Sequence, residues 1–221
     1  HNPHGILVRK KLWDSGEVRS LKDLKGRVIA VTDAGGFSQV LTLEVLKEVG
    51  LTRKDVRFAE LSYGKQGAAF AAGRIDASAI PDPLRTFNIK RGYAIGLNDE
   101  TTGKRLSAPL IAGKHWFGEA YFPIASTWVV RDFLKKNPDA IRAYYRGYKK
   151  ATEFIVANKD KTAEMISNYT RLKLDVVRSV QWPGFDPKLP ADKLQILADR
   201  LAENGFIKRK INIKDHIFLV S

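Results

Sequence analysis

The stretch VTDAGGFSQVLTLEVL, residues 31–46, sets two adjacent glycines, Gly35 and Gly36, between an apolar strand-like run and a helix-like one. From Phe37 to Val49 the residues Val40, Leu41, Leu43, Val45, Leu46 and Val49 cover a broad helical face, and Gly50 stands where a helix C-terminal glycine belongs. Upstream, Arg27 to Thr32 reads as a strand, so the whole is a β-loop-α unit. The same texture continues outward. Residues 5–9, Val56 to Leu61 and Ile75 to Ile80 read as strands, and Gln66 to Ala72 as a small-residue helix closed by Gly73. Strands alternating with helices predict βαβ units and a mostly parallel sheet over residues 1–90.

Beyond residue 90 the pattern changes. The stretch from Lys90 to Gly118 is richer in glycine, with GYAIGL as a strand, and IASTWVV, residues 124–130, is again strand-like. From Arg131 onward the chain reads as helical. The clearest helix follows Asn137-Pro138, with Ile141, Tyr144, Tyr145, Tyr148, Ala151 and Ile155 at helical spacing, a stripe that predicts core packing. Further helices are expected near Asp160 to Tyr169, Asp175 to Gln181 and Ala191 to Asn204. Two lobes of different texture follow, with crossings at about residues 10–25 and again near 120–125.

Composition bounds the function. The 221 residues are long enough for one large α/β domain or two smaller lobes, and 44% are hydrophobic. There is no cysteine, hence neither disulfide nor thiolate chemistry. Apolar runs fall far short of the roughly 18 residues a membrane span needs. The net charge of +14 is interleaved with acids along the chain, which reads as a solvated exterior rather than a nucleic-acid surface.

The glycine pair is compatible with an anion cradle at a helix N-terminus or with a plain tight turn. It is not a nucleotide loop: no G-x-x-x-x-G-K-[ST] or G-x-G-x-x-G is present. G-x-S-x-G and H-E-x-x-H are missing too. His1, His4, His115 and His216 are scattered, which predicts no metal site. Asp82, between Pro81 and Pro83, is a candidate pocket-facing carboxylate without an obvious acid/base partner.

LKDLKGRVIAV, the glycine loop with its helix, AAFAAGRIDAS and IPDPL occur in that order. Together with VVRDFLKKNPDAIRAYYRGYKKATEFIVANKDKTAEMI and FDPKLPADKLQILADRLAENGFI, they resemble solute-binding proteins of ABC transporters of the nitrate/sulfonate/taurine type. The resemblance implies an α/β, type II periplasmic-binding-protein fold: two βα lobes with a cleft, the first lobe incomplete because members begin with two further βα units. On that reading residues 21–123 are lobe two, and 1–20 with 124–221 are the remainder of lobe one.

The resemblance also implies capture of a small anionic or organic solute, such as a sulfonate, nitrate or aromatic carboxylate, and delivery to an ABC permease in the inner membrane. The protein would be periplasmic, or extracellular and lipoprotein-anchored, with no enzymatic activity and no cofactor. The ligand would meet Gly35, the N–H groups of Gly36, Phe37 and Ser38, the Ser38 hydroxyl, and the Asp82-Pro83 loop. Phe37, Tyr63, Tyr121 and Phe122 would wall it, with His4 and Tyr121-Phe122 near the crossovers. A chain missing half a sheet is further expected to self-associate. Two rival readings use the same fold: a pyrimidine-precursor-synthase-like enzyme or lyase, and the ligand-sensing domain of a transcription regulator.

Overall fold

The computed structural model describes residues 4–98, 106–118, 123–180, 182, 184–185 and 190–218. They divide into two compact units, His1–Phe122 with Ser179–Pro183, and Pro123–Arg178 with Gly184–Ser221.

The first unit is built on a five-stranded mixed sheet. Strand β1 (His4–Arg9) leads into the short helix α1 (Lys10–Asp14); β2 (Val28–Val31) is followed by helix α2 (Phe37–Lys47), and β3 (Arg57–Glu60) by α3 (Tyr63–Ala71). Then come β4 (Ala77–Pro81), α4 (Leu84–Lys90), β5 (Ala94–Gly96) and α5 (Ala108–Phe117). The strand order is β3-β2-β4-β1-β5. β2 runs parallel to β3 and β4, joined by the crossover helices that the alternation predicts, whereas β1 runs antiparallel to β4 and β5. Buried β1 reads as an unbroken apolar run because it sits inside the sheet rather than at its edge.

Strand β1 is hydrogen-bonded between β4 and β5, where its backbone groups find two antiparallel partners. The core of the unit packs Leu7, Ala30, Ile75 and Ile80 around Phe70 of α3.

Asp76, at the start of β4, fastens three strands. Its Oδ1 accepts from Arg9 Nη2 at 2.8 Å, its Oδ2 accepts from the Val28 N–H at 2.9 Å, and the Asp76 carbonyl accepts from the Arg9 N–H at 2.8 Å.

The second unit comprises helices α6 (Arg131–Lys136), α7 (Pro138–Ala157), α8 (Lys159–Thr170), α9 (Leu174–Ser179) and α10 (Ala191–Glu203). Gln195 of α10 pins the following segment: its Oε1 accepts from the Ile213 N–H and its Nε2 donates to the Ile211 carbonyl. Two expectations fail here. IASTWVV is not a strand, since β-propensity alone does not make one without a ladder partner; Trp128 is 76% exposed. The tyrosine stripe of α7 is not core either: Tyr144 is 57% exposed and stacks on Tyr148 with ring centroids 6.5 Å apart.

Removing the Asp76 carboxylate strands the Arg9 charge in a half-buried position and frees the Val28 N–H. Asp76→Ala is expected to lower stability by about 3 kcal/mol in urea unfolding, the scale of a broken buried pair.

Candidate functional site

Four loops meet at one edge of the first unit's sheet. The parallel strands β2, β3 and β4 all deliver their C-terminal ends there, and antiparallel β1 begins there, with His4 opposite Pro81. In open α/β sheets this is the edge where ligands bind.

The loop after β2 is shaped by its own polar side chains. The Thr32 N–H donates to Ser38 Oγ at 2.8 Å, and the two hydroxyls lie 3.0 Å apart. The Gly35 N–H donates to Gln39 Oε1 at 2.6 Å, and the Gly36 N–H donates to the Asp33 carbonyl at 3.3 Å. Gly35 sits at φ +74°, where a side chain would be strained. A Cβ on Gly36 would collide with the Asp33 carboxylate, so the glycine lets that carboxylate lie against the start of α2. Gly36 is the N-cap of α2 and supplies no side-chain cap. The first turn therefore presents its positive dipole end beside an exposed acid.

Ser38 and Gln39 are buried, and the Ser38 hydroxyl helps hold the loop together by accepting from the Thr32 N–H. Tyr63 stands at the first position of α3. Burial pushes its phenol above the ordinary value; the nearby Ser38 hydroxyl acts the other way, and the Asp33 carboxylate adds to the rise.

On the other side of the site His4 is only 4% exposed, and its ring meets Phe37 edge-on at 5.7 Å. Burial lowers its pKa to about 4, against the opposing pull of Asp82, so the imidazole is neutral at pH 7. Asp82 Oδ1 accepts from the Thr86 N–H at 3.0 Å and the Thr86 hydroxyl at 2.6 Å, which organises the start of α4. The Asp82–Pro83 bond is cis, and Pro83 is the N-cap of α4.

The structure thus gathers His4, Gly35, Gly36, Phe37, Ser38, Tyr63, Asp82 and Pro83 along one sheet edge. Tyr121 and Phe122 lie outside the described residues. Sequence reasoning missed Thr32, Asp33, Gln39 and Thr86. Asp33 had a signal in the sequence, an acid two residues before a glycine pair, whereas Gln39 and Thr86 act through loop geometry that spacing does not reveal. Among the described residues no group of three or more His, Asp or Glu side chains is arranged to hold a metal ion.

Comparison with known proteins agrees with this architecture. The family model described as "NMT1/THI5 like" matches residues 1–162. A putative aliphatic sulfonates-binding protein of Bacillus subtilis is 28% identical over 219 residues, 96% of this chain and 59% of its own length. The 4-amino-5-hydroxymethyl-2-methylpyrimidine phosphate synthase THI12 of Saccharomyces cerevisiae is 26% identical over 174 residues, 78% of this chain and 48% of its own. The solved alkanesulfonate-binding protein SsuA of Xanthomonas axonopodis pv. citri, bound to MOPS, superposes with TM-score 0.69 at 20% identity, covering 98% of this chain and 69% of that one. The fold is that of periplasmic binding proteins. The chain spans about 60% of the length of the sulfonate-binding relatives it matches.

A histidine held neutral by burial makes acid unfavourable. The folded pKa of His4 lies below the unfolded value of about 6.5, so its contribution is complete above pH 6.5 and is lost as pH falls toward 4. Urea unfolding across that window should show a loss of up to about 3 kcal/mol that His4→Gln removes; equal slopes in the two proteins would refute the assignment. With the family model covering most of its length and the sheet edge in place, this chain belongs to the NMT1/THI5-like family.

Proposed function

We propose that this chain is part of an extracytoplasmic solute-binding component of an ABC importer. Its first unit offers the β2–α2 loop, Tyr63 and the His4–Phe37 pair to a small organic solute. One observation carries the reading: α2 starts at this sheet edge on Gly36, which has no side chain of its own to cap it, with Phe37 at its first position edge-on to the buried, uncharged His4 ring. A helix start of this kind stabilises a ligand oxygen, and the rings shield the ligand's apolar part. The sulfonate-binding relatives support a sulfonate or a similar oxyanion as that group. On this reading the helices of the second unit belong to the family's other lobe. Delivery to an inner-membrane permease and a periplasmic location follow from the same proposal. No helix among the described residues is long and apolar enough to cross a membrane.

Thermal-shift and calorimetric titration with alkanesulfonates, nitrate, aromatic carboxylates and pyrimidines should identify at least one stabilising solute; stabilisation by none of them sinks the proposal. Because the Asp33 carboxylate lies beside the start of α2, Asp33→Asn should tighten binding of an anion about threefold or more at low salt, with the gain shrinking as salt rises.

A synthase-like enzyme is the second reading, favoured by the yeast relative and by the neutral His4 with Asp82 close to it. Conversion of a bound ligand, abolished in His4→Gln, would choose it over transport. We also infer self-association through the second unit, where Trp128, Val130, Met165 and Tyr169 are all largely exposed. Light scattering should give a mass above the 24.8 kDa of one chain, and a monomer at high concentration contradicts this.

A further inference from the structure

Away from the sheet edge, α5 packs on α2 and on β1. Where α5 meets α2, His115 stands between two glutamates. Its Nδ1 lies 3.0 Å from Glu44 Oε2, and its Nε2 lies 2.5 Å from Glu48 Oε1. A carboxylate only accepts hydrogen bonds, so both ring nitrogens must donate, and only the imidazolium has two N–H groups. With a neutral ring, one nitrogen lone pair faces a carboxylate oxygen, and one of the two ties becomes a repulsion.

The surroundings decide which tie yields. The Glu44 side chain is 3% exposed and also accepts from Lys47 Nζ at 2.5 Å, so it keeps a cationic partner whatever His115 does. Glu48 is 34% exposed and can turn to water. His115, 26% exposed, exchanges its proton with solvent. Of the other charged groups on these elements, Lys114 shares the last turn of α5, and β1 contributes Arg9, which is held by Asp76, and His4. Losing the His115 proton therefore loosens the joint without leaving an unpaired buried charge.

We propose that His115 is a proton-operated latch that fastens α5 to α2. α5 ends at Gly118, in the left-handed region at φ +72°, and is the last helix of the first unit before the chain passes to the second. The latch thus governs how firmly the chain is anchored where it leaves the sheet-bearing unit. It does not depend on the identity of any solute.

Hydrogen exchange of the amides in residues 108–117, corrected for the intrinsic pH dependence of exchange, reads the latch directly. Between about pH 6 and pH 8.5, protection in the wild-type chain should fall about tenfold, the scale of one charge-assisted hydrogen bond. Amides of β4 in the same samples should hold their protection. In Glu48→Gln the amide either donates to Nε2 or accepts from it, which suits a neutral His115, so protection should be the same at both pH values. In His115→Gln protection should be low at both. Wild-type protection that does not change, a parallel fall in β4, or a Glu48→Gln chain that keeps the tenfold drop would each overturn the proposal.

Discussion

The antiparallel insertion of β1 between β4 and β5 is the constraint on which the sheet edge depends. Its register sets His4 against Pro81 at one end and carries Arg9 to the Asp76 carboxylate at the other. A slip of one residue would turn Ile6 and Val8 to the opposite face and move the His4 ring away from Phe37. Because both faces of β1 are covered, such a slip exchanges well-packed side chains for poorly packed ones along the whole strand. The ion pair with Asp76, which also holds the Val28 N–H, fixes β2 in step with β1 through β4. The position of the β2–α2 loop relative to His4 thus follows from hydrogen bonds made at the far end of the sheet.

At the edge itself, the polar side chains divide into those that build the loop and those that face outward. Ser38 and Gln39 satisfy the Thr32 and Gly35 N–H groups, as buried polar groups must be satisfied by something. A hydroxyl committed in this way is a poor ligand donor but a good template, since it holds the start of α2 in a fixed place. On the proposed function, recognition falls to the helix end, the aromatic rings and the charge of Asp33. Helix dipole and carboxylate act in opposite senses on an anion. The Asp33 carboxylate accepts from the Thr32 hydroxyl at 2.5 Å, so this exposed charge is held beside the helix start.

Much of the first unit was legible in the sequence because its signals are local. Val40, Leu41, Val45 and Leu46 give the helical face of α2, Gly50 its end, and the Pro81-Asp82-Pro83 run the end of β4. The direction of β1 was not legible: GILVR is equally apolar in a parallel or an antiparallel ladder, and only pairing decides. α5 was hidden because its sequence, APLIAGKHWF, is apolar on nearly every side, so no helical stripe stands out. In IASTWVV and the α7 tyrosines, sequence signalled strand and core where the structure shows neither, since both signals report what a residue can bury and not whether a partner is there to bury it. At the site, glycines and aromatics were readable by type, but the division of labour between Ser38 and the helix end depends on distances that no spacing rule supplies.

The two histidines of the first unit that the structure describes respond to protons in opposite senses. His4 is buried without a charge-stabilising environment strong enough to outweigh desolvation, so protonation works against the folded sheet edge. His115 is set between two carboxylates, so protonation completes the joint of α5 with α2. Acid therefore strains the strand ends that form the site, and base releases the helix leading out of the unit. These are separate parts of one sheet-based body, tied through β1, which carries His4 and packs against α5.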